Sequence, residues 1–271
     1  PESYLIPVAI THGETIAQIT SEAPWTVIAT VDVKGSAPGT GYLAYDALVS
    51  ADFRTALIEM IGRRRSFRGQ HGTVSGLRTR GVFTRTRGSS QEKLDSVPMR
   101  AEQTNSSVIY GDRFILKLYR RLEEGTSPEL EVGRYLTERQ PFANVTAVAG
   151  AIEYRSEPPA EPVTLAILHK YARAEGDAWS FTLDALGRYF DHALARSGAP
   201  VPTVSTRSLL TLSQDPVSPE ADEAVGPYME SARLLGQRTA ELHLALASAV
   251  EDEGFAPEPF STIYQRSLYH G

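Results

Sequence analysis

The sequence predicts an α+β fold, and three observations carry that prediction. Two apolar runs, Val108-Ile109-Tyr110 and Phe114 to Tyr119, flank Gly111-Asp112, a pair suited to the positive φ angles of a tight hairpin turn. Thr126-Ser127-Pro128-Glu129 is a helix start: Thr126 or Ser127 caps, Pro128 occupies the first helical position, and Glu129 completes a capping box with Thr126. Beyond residue 176 the apolar spacing becomes that of long helices.

Taken in order, residues 1–90 alternate short β-like runs, Tyr4 to Ile10 and Trp25 to Val33, with turn residues such as Pro38-Gly39-Thr40-Gly41. A helix capped by Asp52 follows, with Phe53, Ala56, Leu57, Met60 and Ile61 at helical spacing. Gly-punctuated ribbon segments, Gly72 to Leu77 and Gly81-Val82-Phe83, close this small α+β cap subdomain. Residues 91–175 form a small lobe. Its first part is the hairpin and its helix; then come an extended run from Asn144 to Arg155 and a buried strand, Val163 to Leu168. Residues 176–271 are helical. Asp177 caps a helix from Ala178 to about Ala195 with Trp179, Leu183, Leu186 and Phe190 on its apolar side. A Pro/Ser/Thr-rich loop from Ser197 to Glu220 leads to a helix over about 221–250, with His243 on its apolar face as a core histidine.

The hairpin's second strand carries the chemistry. Period-two alternation puts Phe114, Leu116 and Leu118 on one face and Ile115, Lys117 and Tyr119 on the other. An ammonium between apolar neighbours either snorkels to water or is held inward by an anion. In the next helix Val132, Tyr135 and Leu136 make an apolar stripe, which leaves Glu131 on the stripe's edge and able to point inward at Lys117.

A hairpin with an inward lysine followed by a helix with an inward glutamate is the small-lobe arrangement of protein-kinase-like folds, where the pair orients the lysine on nucleotide phosphates. The string from Gln103 through Ile115-Leu116-Lys117-Leu118-Tyr119-Arg120 to Leu130-Glu131-Val132-Gly133-Arg134-Tyr135-Leu136 resembles bacterial maltokinase, including the form fused to trehalose synthase. So do Leu165-Ala166-Ile167-Leu168 and Gly176-Asp177-Ala178-Trp179-Ser180, and the similarity runs over nearly the whole chain.

The resemblance implies an aminoglycoside-phosphotransferase-like small lobe and the start of a helical large lobe. It implies ATP and magnesium as cofactors, and phosphorylation of maltose to maltose 1-phosphate in a route from trehalose to α-glucan. Gln103, Ser106 and Ser107 then belong to a polar loop over the phosphates. Lys117 contacts phosphate oxygens and Glu131 holds it; His169 and Tyr171 lie in a hinge whose backbone meets the adenine, and Asp177 sits near the ribose. No catalytic aspartate and no metal ligand are identified in these 271 residues, so the catalytic loop is expected downstream and the segment alone is expected to be inactive. A related small-molecule kinase with another acceptor, and a non-catalytic accessory module that docks trehalose synthase, are the alternatives.

Composition narrows the classes. At 271 residues and 41% hydrophobic content the chain can bury real cores, and its formal charge of -6 argues against nucleic acid as the main partner. There is no cysteine, no signal-peptide pattern and no apolar run of membrane-spanning length, which leads to the expectation of a cytoplasmic protein without membrane contact. Basic residues nevertheless dominate from Arg54 to Arg100, with Arg63-Arg64-Arg65 at the end of a helix, where positive charge offsets the dipole.

Overall fold

The computed structural model describes residues 2–32, 34–35, 41–89, 92, 94–99, 105–157, 161–195, 205–250, 252 and 254–270. It divides into two compact units, 1–172 and 173–271. No helix among the described residues is long and apolar enough to cross a membrane.

The first unit runs β1 (Ser3–Tyr4), β2 (Val8–His12), α1 (Glu14–Glu22), β3 (Val27–Val31), β4 (Tyr42–Asp46), α2 (Ala51–Gly62), β5 (Ser66–Arg68), β6 (Gly72–Arg78), α3 (Val82–Arg87) and β7 (Ser96–Pro98). It continues with β8 (Asn105–Tyr110), β9 (Phe114–Tyr119), β10 (Arg121–Leu122), α4 (Pro128–Arg134), β11 (Val148–Ser156) and β12 (Val163–Lys170). Seven strands make one antiparallel sheet in the order β5-β6-β11-β12-β9-β8-β7. Strands from both sides of residue 90 join it, so a cap drawn as 1–90 shares its sheet with the small lobe. Among the described residues of that segment, β2-β4-β3, covered by α1 through Ile19, Leu43 and Tyr45, forms a sheet of its own.

Alternation in β9 decides the layering. Phe114, Leu116 and Leu118 enter the main core with Leu57, Ile58 and Ile61 of α2 and Phe83 of α3, whose ring stacks on Phe114 at 5.2 Å. On the opposite face, Ile167, Val148 and Ala151 pack against Leu130 of α4. The β8–β9 hairpin closes over Gly111-Asp112 with Gly111 at φ 57° and the Arg113 N–H donating to the Tyr110 carbonyl, a turn that favours glycine at its first position.

Three local expectations are corrected. Ser50, not Asp52, caps α2, its hydroxyl accepting from Phe53 N–H. Val82-Phe83 opens the short helix α3 and is not ribbon. Arg54, on α2, is buried, with its guanidinium donating to the Leu48 and Val49 carbonyls and to Ser96, so part of the basic run is internal scaffolding.

At the end of α2, Arg64 takes a left-handed backbone, φ 53°, with Arg65 N–H reaching back to the Met60 carbonyl. This is a helix stop in which glycine is the usual residue, because a Cβ there meets the following carbonyl. Arg64→Gly is therefore expected to raise stability by about 1 kcal/mol, read as a higher midpoint in urea unfolding.

The second unit contains α5 (Ala178–Ala195), α6 (Leu209–Leu212), α7 (Pro219–Val225), α8 (Tyr228–Ala247) and α9 (Thr262–His270). The loop expected over 197–220 holds α6 and the start of α7, and the single helix expected over 221–250 is interrupted at Gly226-Pro227. Gly226 has φ 62°, and Pro227 supplies no N–H to continue a helix. Trp179 and His243, expected in the core, are both exposed.

Candidate functional site

Lys117 sits on β9, next to β12 and opposite Ile167, on the sheet face that α4 covers. Its ammonium contacts Glu129 Oε2 at 2.7 Å. The Tyr119 hydroxyl, two residues along the same face, donates to the same oxygen at 2.7 Å, and the Lys117 ammonium lies 5.3 Å from the Tyr119 ring centre. From β12, His169 places Nε2 at 3.5 Å from Glu129 Oε1, too long for a good hydrogen bond. Both His169 ring nitrogens are buried without a hydrogen-bond partner. One carboxylate thus gathers a lysine, a tyrosine and a histidine from two neighbouring strands.

The lysine's partner is Glu129 and not Glu131, which is exposed. The reason lies in which side of α4 meets the sheet. Leu130 is fully buried, and a Cβ on Gly133 would come within 2.6 Å of Val148 Cγ2, so Leu130 and Gly133 are the residues in closest contact. At about 100° per residue Glu129 lies about 70° from the middle of that face and Glu131 about 130° away. Of the expected stripe Tyr135 and Leu136 are buried and Val132 is half-buried, but the fully buried Leu130 lay outside it. Tyr135–Arg139 continues the helix in the wider π geometry, which shifts the periodicity. The capping box of Glu129 with Thr126 does not form: Ser127 is the N-cap residue, and Glu129 is engaged by Lys117.

The electrostatics follow from this geometry. Burial alone would raise the Glu129 pKa, but the hydrogen bonds from Lys117 and Tyr119 more than offset it and hold the carboxyl below its ordinary value. Burial first, and then the bond to Glu129, push the Tyr119 phenol up. A carboxylate whose pKa is depressed in the fold adds stability at pH values above its unfolded pKa, and that contribution disappears as pH falls through the folded value. The Glu129 contribution is therefore expected to be intact at neutral pH and to be lost in acid below the ordinary value of 4.5. Thermal melts in the acid range should show a shallower fall for Glu129→Gln than for the wild-type chain; identical slopes would count against the pairing.

Of the other residues singled out in the sequence, Ser107 shares the sheet face of Lys117 as its cross-strand neighbour, and the rest do not join this cluster. Gln103 lies outside the described residues. Ser106 stands opposite Leu118 in the β8–β9 register, on the face away from Lys117. Its hydroxyl accepts from Arg120 Nε at 2.9 Å, and Arg120 in turn pairs with Asp46 at 2.5 Å. Ser106 therefore ties the large sheet to β4 instead of covering phosphates. Ser107 is buried opposite Lys117, and its carbonyl accepts from Met99 N–H. Both serines line a cavity of about 1000 Å³ with Asp46, Trp25 and Tyr45.

Tyr171 donates its backbone N–H to the Arg113 carbonyl at 2.8 Å, so that hinge donor is already used. Asp177 belongs to the second unit. It caps α5, accepting from Ser180 N–H at 2.8 Å and from the Ser180 hydroxyl at 2.9 Å, and these bonds hold its carboxyl below the usual range. Among the described residues, no group of three or more His, Asp or Glu side chains is placed to hold a metal ion. Two members of the lysine cluster, Glu129 and Tyr119, were missed as site residues. The signal for Tyr119 was its shared face with Lys117, and the signal for Glu129 was its place in the first turn, where the helix dipole favours a carboxylate.

No family model matches the chain. Among solved structures it is similar to glucosamine kinase in complex with glucosamine, ADP and inorganic phosphate, at 21% identity and a TM-score of 0.42, over 82% of this chain and 45% of that one. A second crystal form of glucosamine kinase is similar at 19% identity and a TM-score of 0.41, over 87% of this chain and 49% of that one. The chain spans under half the length of those kinases, and a likeness of this degree assigns neither a ligand nor a role to any of its residues.

Proposed function

We propose that this chain is the nucleotide-binding part of a maltokinase-like sugar kinase, in which the γ-phosphoryl group of ATP passes to the anomeric hydroxyl of maltose to give maltose 1-phosphate and ADP. The observation that carries the reading is the 2.7 Å contact of Lys117 Nζ with Glu129 Oε2. A strand lysine held by a carboxylate of the following helix is the device that keeps an ammonium on nucleotide phosphates in protein-kinase-like enzymes. The resemblance of the segments around Lys117 and Leu165 to maltokinase supplies the acceptor.

In this reading Lys117 binds and orients phosphate oxygens, Glu129 restrains Lys117, and Tyr119 fixes Glu129 from the strand side. His169 presents an imidazole whose nitrogens are buried and unbonded, and a ligand that met them would remove that cost. Magnesium, when bound, spreads charge over the β- and γ-phosphates. The described residues do not fit it, having no cluster of carboxylates or histidines of the required size, and are given no metal role. The base that takes the hydroxyl proton is likewise not assigned to them.

The test has two parts. Calorimetry should detect ATP binding to this chain, and ADP release by the longest protein in which the chain occurs should depend on maltose. Transfer to glucosamine or another hydroxyl acceptor in place of maltose would keep the kinase and change its substrate. No nucleotide binding by the chain, together with no transfer by the longer protein, would sink the proposal.

A further inference from the structure

We infer that Arg64 and Arg134 form a second anion site, separate from Lys117, that takes a phosphate dianion, free or as the monoester of a small molecule. Both arginines line a cavity of about 140 Å³ with Thr79, Leu130 and Gly150, and none of the residues lining it is acidic. That volume is below the range of drug-sized pockets and suits a single tetrahedral oxyanion. Guanidinium groups are the side chains best matched to it, since their planar forks donate two parallel N–H bonds to phosphate oxygens.

Three elements meet at this cavity. Arg64 stands just past the end of α2, Arg78 at the end of β6, and Arg134 in the last turn of α4. The sheet order puts the cavity on the β6–β11 side of α4 and the Lys117 cluster on the β12–β9 side. With strands about 4.8 Å apart, β6 and β9 are separated by about 14 Å, so one ligand phosphate does not reach both sites.

A second, independent observation comes from the backbone. Arg64 occupies the left-handed position that glycine fills at low cost, so the chain carries a strained arginine at the cavity where an unstrained residue with no charge would serve the helix stop better. The carboxylates that face these arginines only weakly neutralise them. Arg134 lies 3.5 Å from Glu138 in a solvent-exposed pair, a spacing and setting worth little. Glu153, which faces Arg134 and Arg155, has its carboxyl pushed up by burial, more than those arginines lower it. Arg78 lies opposite Gly150 and donates Nη1 to the Gly62 carbonyl, so its guanidinium belongs to the α2 face of the sheet and not to this site. A dianion held here would tie α4 to the end of α2.

The site is tested by titrating the 271-residue chain with inorganic phosphate and with glucose 1-phosphate at constant ionic strength, read by calorimetry. Saturable binding is expected, weakened at least tenfold by Arg64→Gly and by Arg134→Gln. Arg64→Gly keeps the turn and is expected to raise stability, so its loss of binding cannot come from unfolding. Arg68→Gln, at an exposed arginine paired with Glu157 elsewhere, should leave affinity unchanged. Tighter binding of glucose 1-phosphate than of inorganic phosphate would identify a monoester as the ligand, and the reverse order would identify free phosphate. Absence of saturable binding, equal losses in Arg68→Gln, or a loss confined to Lys117→Met would each overturn the inference. None of these readouts depends on kinase activity.

Discussion

Glu129→Ala should weaken ATP binding by this chain about tenfold, whereas Glu131→Ala should leave it within about twofold. The difference arises because, among the described residues, Glu129 is the carboxylate that contacts Lys117, at 2.7 Å, and without it the ammonium loses the partner that restrains it. The Tyr119 hydroxyl loses its acceptor in the same variant, so the strand side of the cluster loosens as well. Both variants should fold, since each carboxylate is partly or largely exposed. The measurement is a calorimetric ATP titration of the three proteins, with far-UV circular dichroism as the control for folding. Should Glu131→Ala prove the weaker binder, the geometry around Lys117 would be wrong and the nucleotide reading would lose its support.

Gly76→Ala is expected to be the most damaging single methyl in the first unit. A Cβ built on Gly76 lies 2.2 Å from the Met60 carbonyl oxygen and 2.5 Å from its carbon, both backbone atoms that no rotamer change can move. Gly150, on the next strand, is confined in the same way, 2.4 Å from Ile61 Cγ2 and from the Leu77 carbonyl oxygen. These two glycines let α2 lie directly on β6 and β11. An added methyl must push the helix away and open the core around the fully buried Ile61. A loss of about 3 kcal/mol follows, at the upper end of what overpacking costs. Gly41, exposed and with nothing within 4 Å of its Cβ position, is the control, and Gly41→Ala should change the urea midpoint little. Comparable midpoints for the two variants would show that α2 can shift without cost.

What reads directly from the chain is whatever depends on near neighbours in sequence. The β8–β9 hairpin follows from apolar runs around a glycine turn, β12 from an apolar run interrupted by Thr164, and α5 from Asp177 followed by helical spacing. In each case the signal and the structure involve residues within one element. The inward face of Lys117 is legible for the same reason, because alternation along a strand needs no tertiary information.

The rest was decided by contacts between elements. Whether Glu129 or Glu131 meets Lys117 depends on the rotation of a two-turn helix, and that rotation is set by Gly133 pressing on Val148 and by the wide turn after Arg134. The resemblance implied a polar loop over the phosphates that included Ser106. Its register opposite Leu118 turns it to the other face, where Arg120 and Asp46 take it up. Likewise, the arginine-rich run reads as a single basic patch, yet folding buries Arg54 among carbonyls and brings Arg64 to Arg134, more than fifty residues away. By itself, then, the sequence determined the elements and the sheet face on which the lysine lies, since these are local consequences of residue type and period. Only the tertiary structure decided which carboxylate and which arginines meet, because helix rotation and strand register are fixed by packing across the sheet.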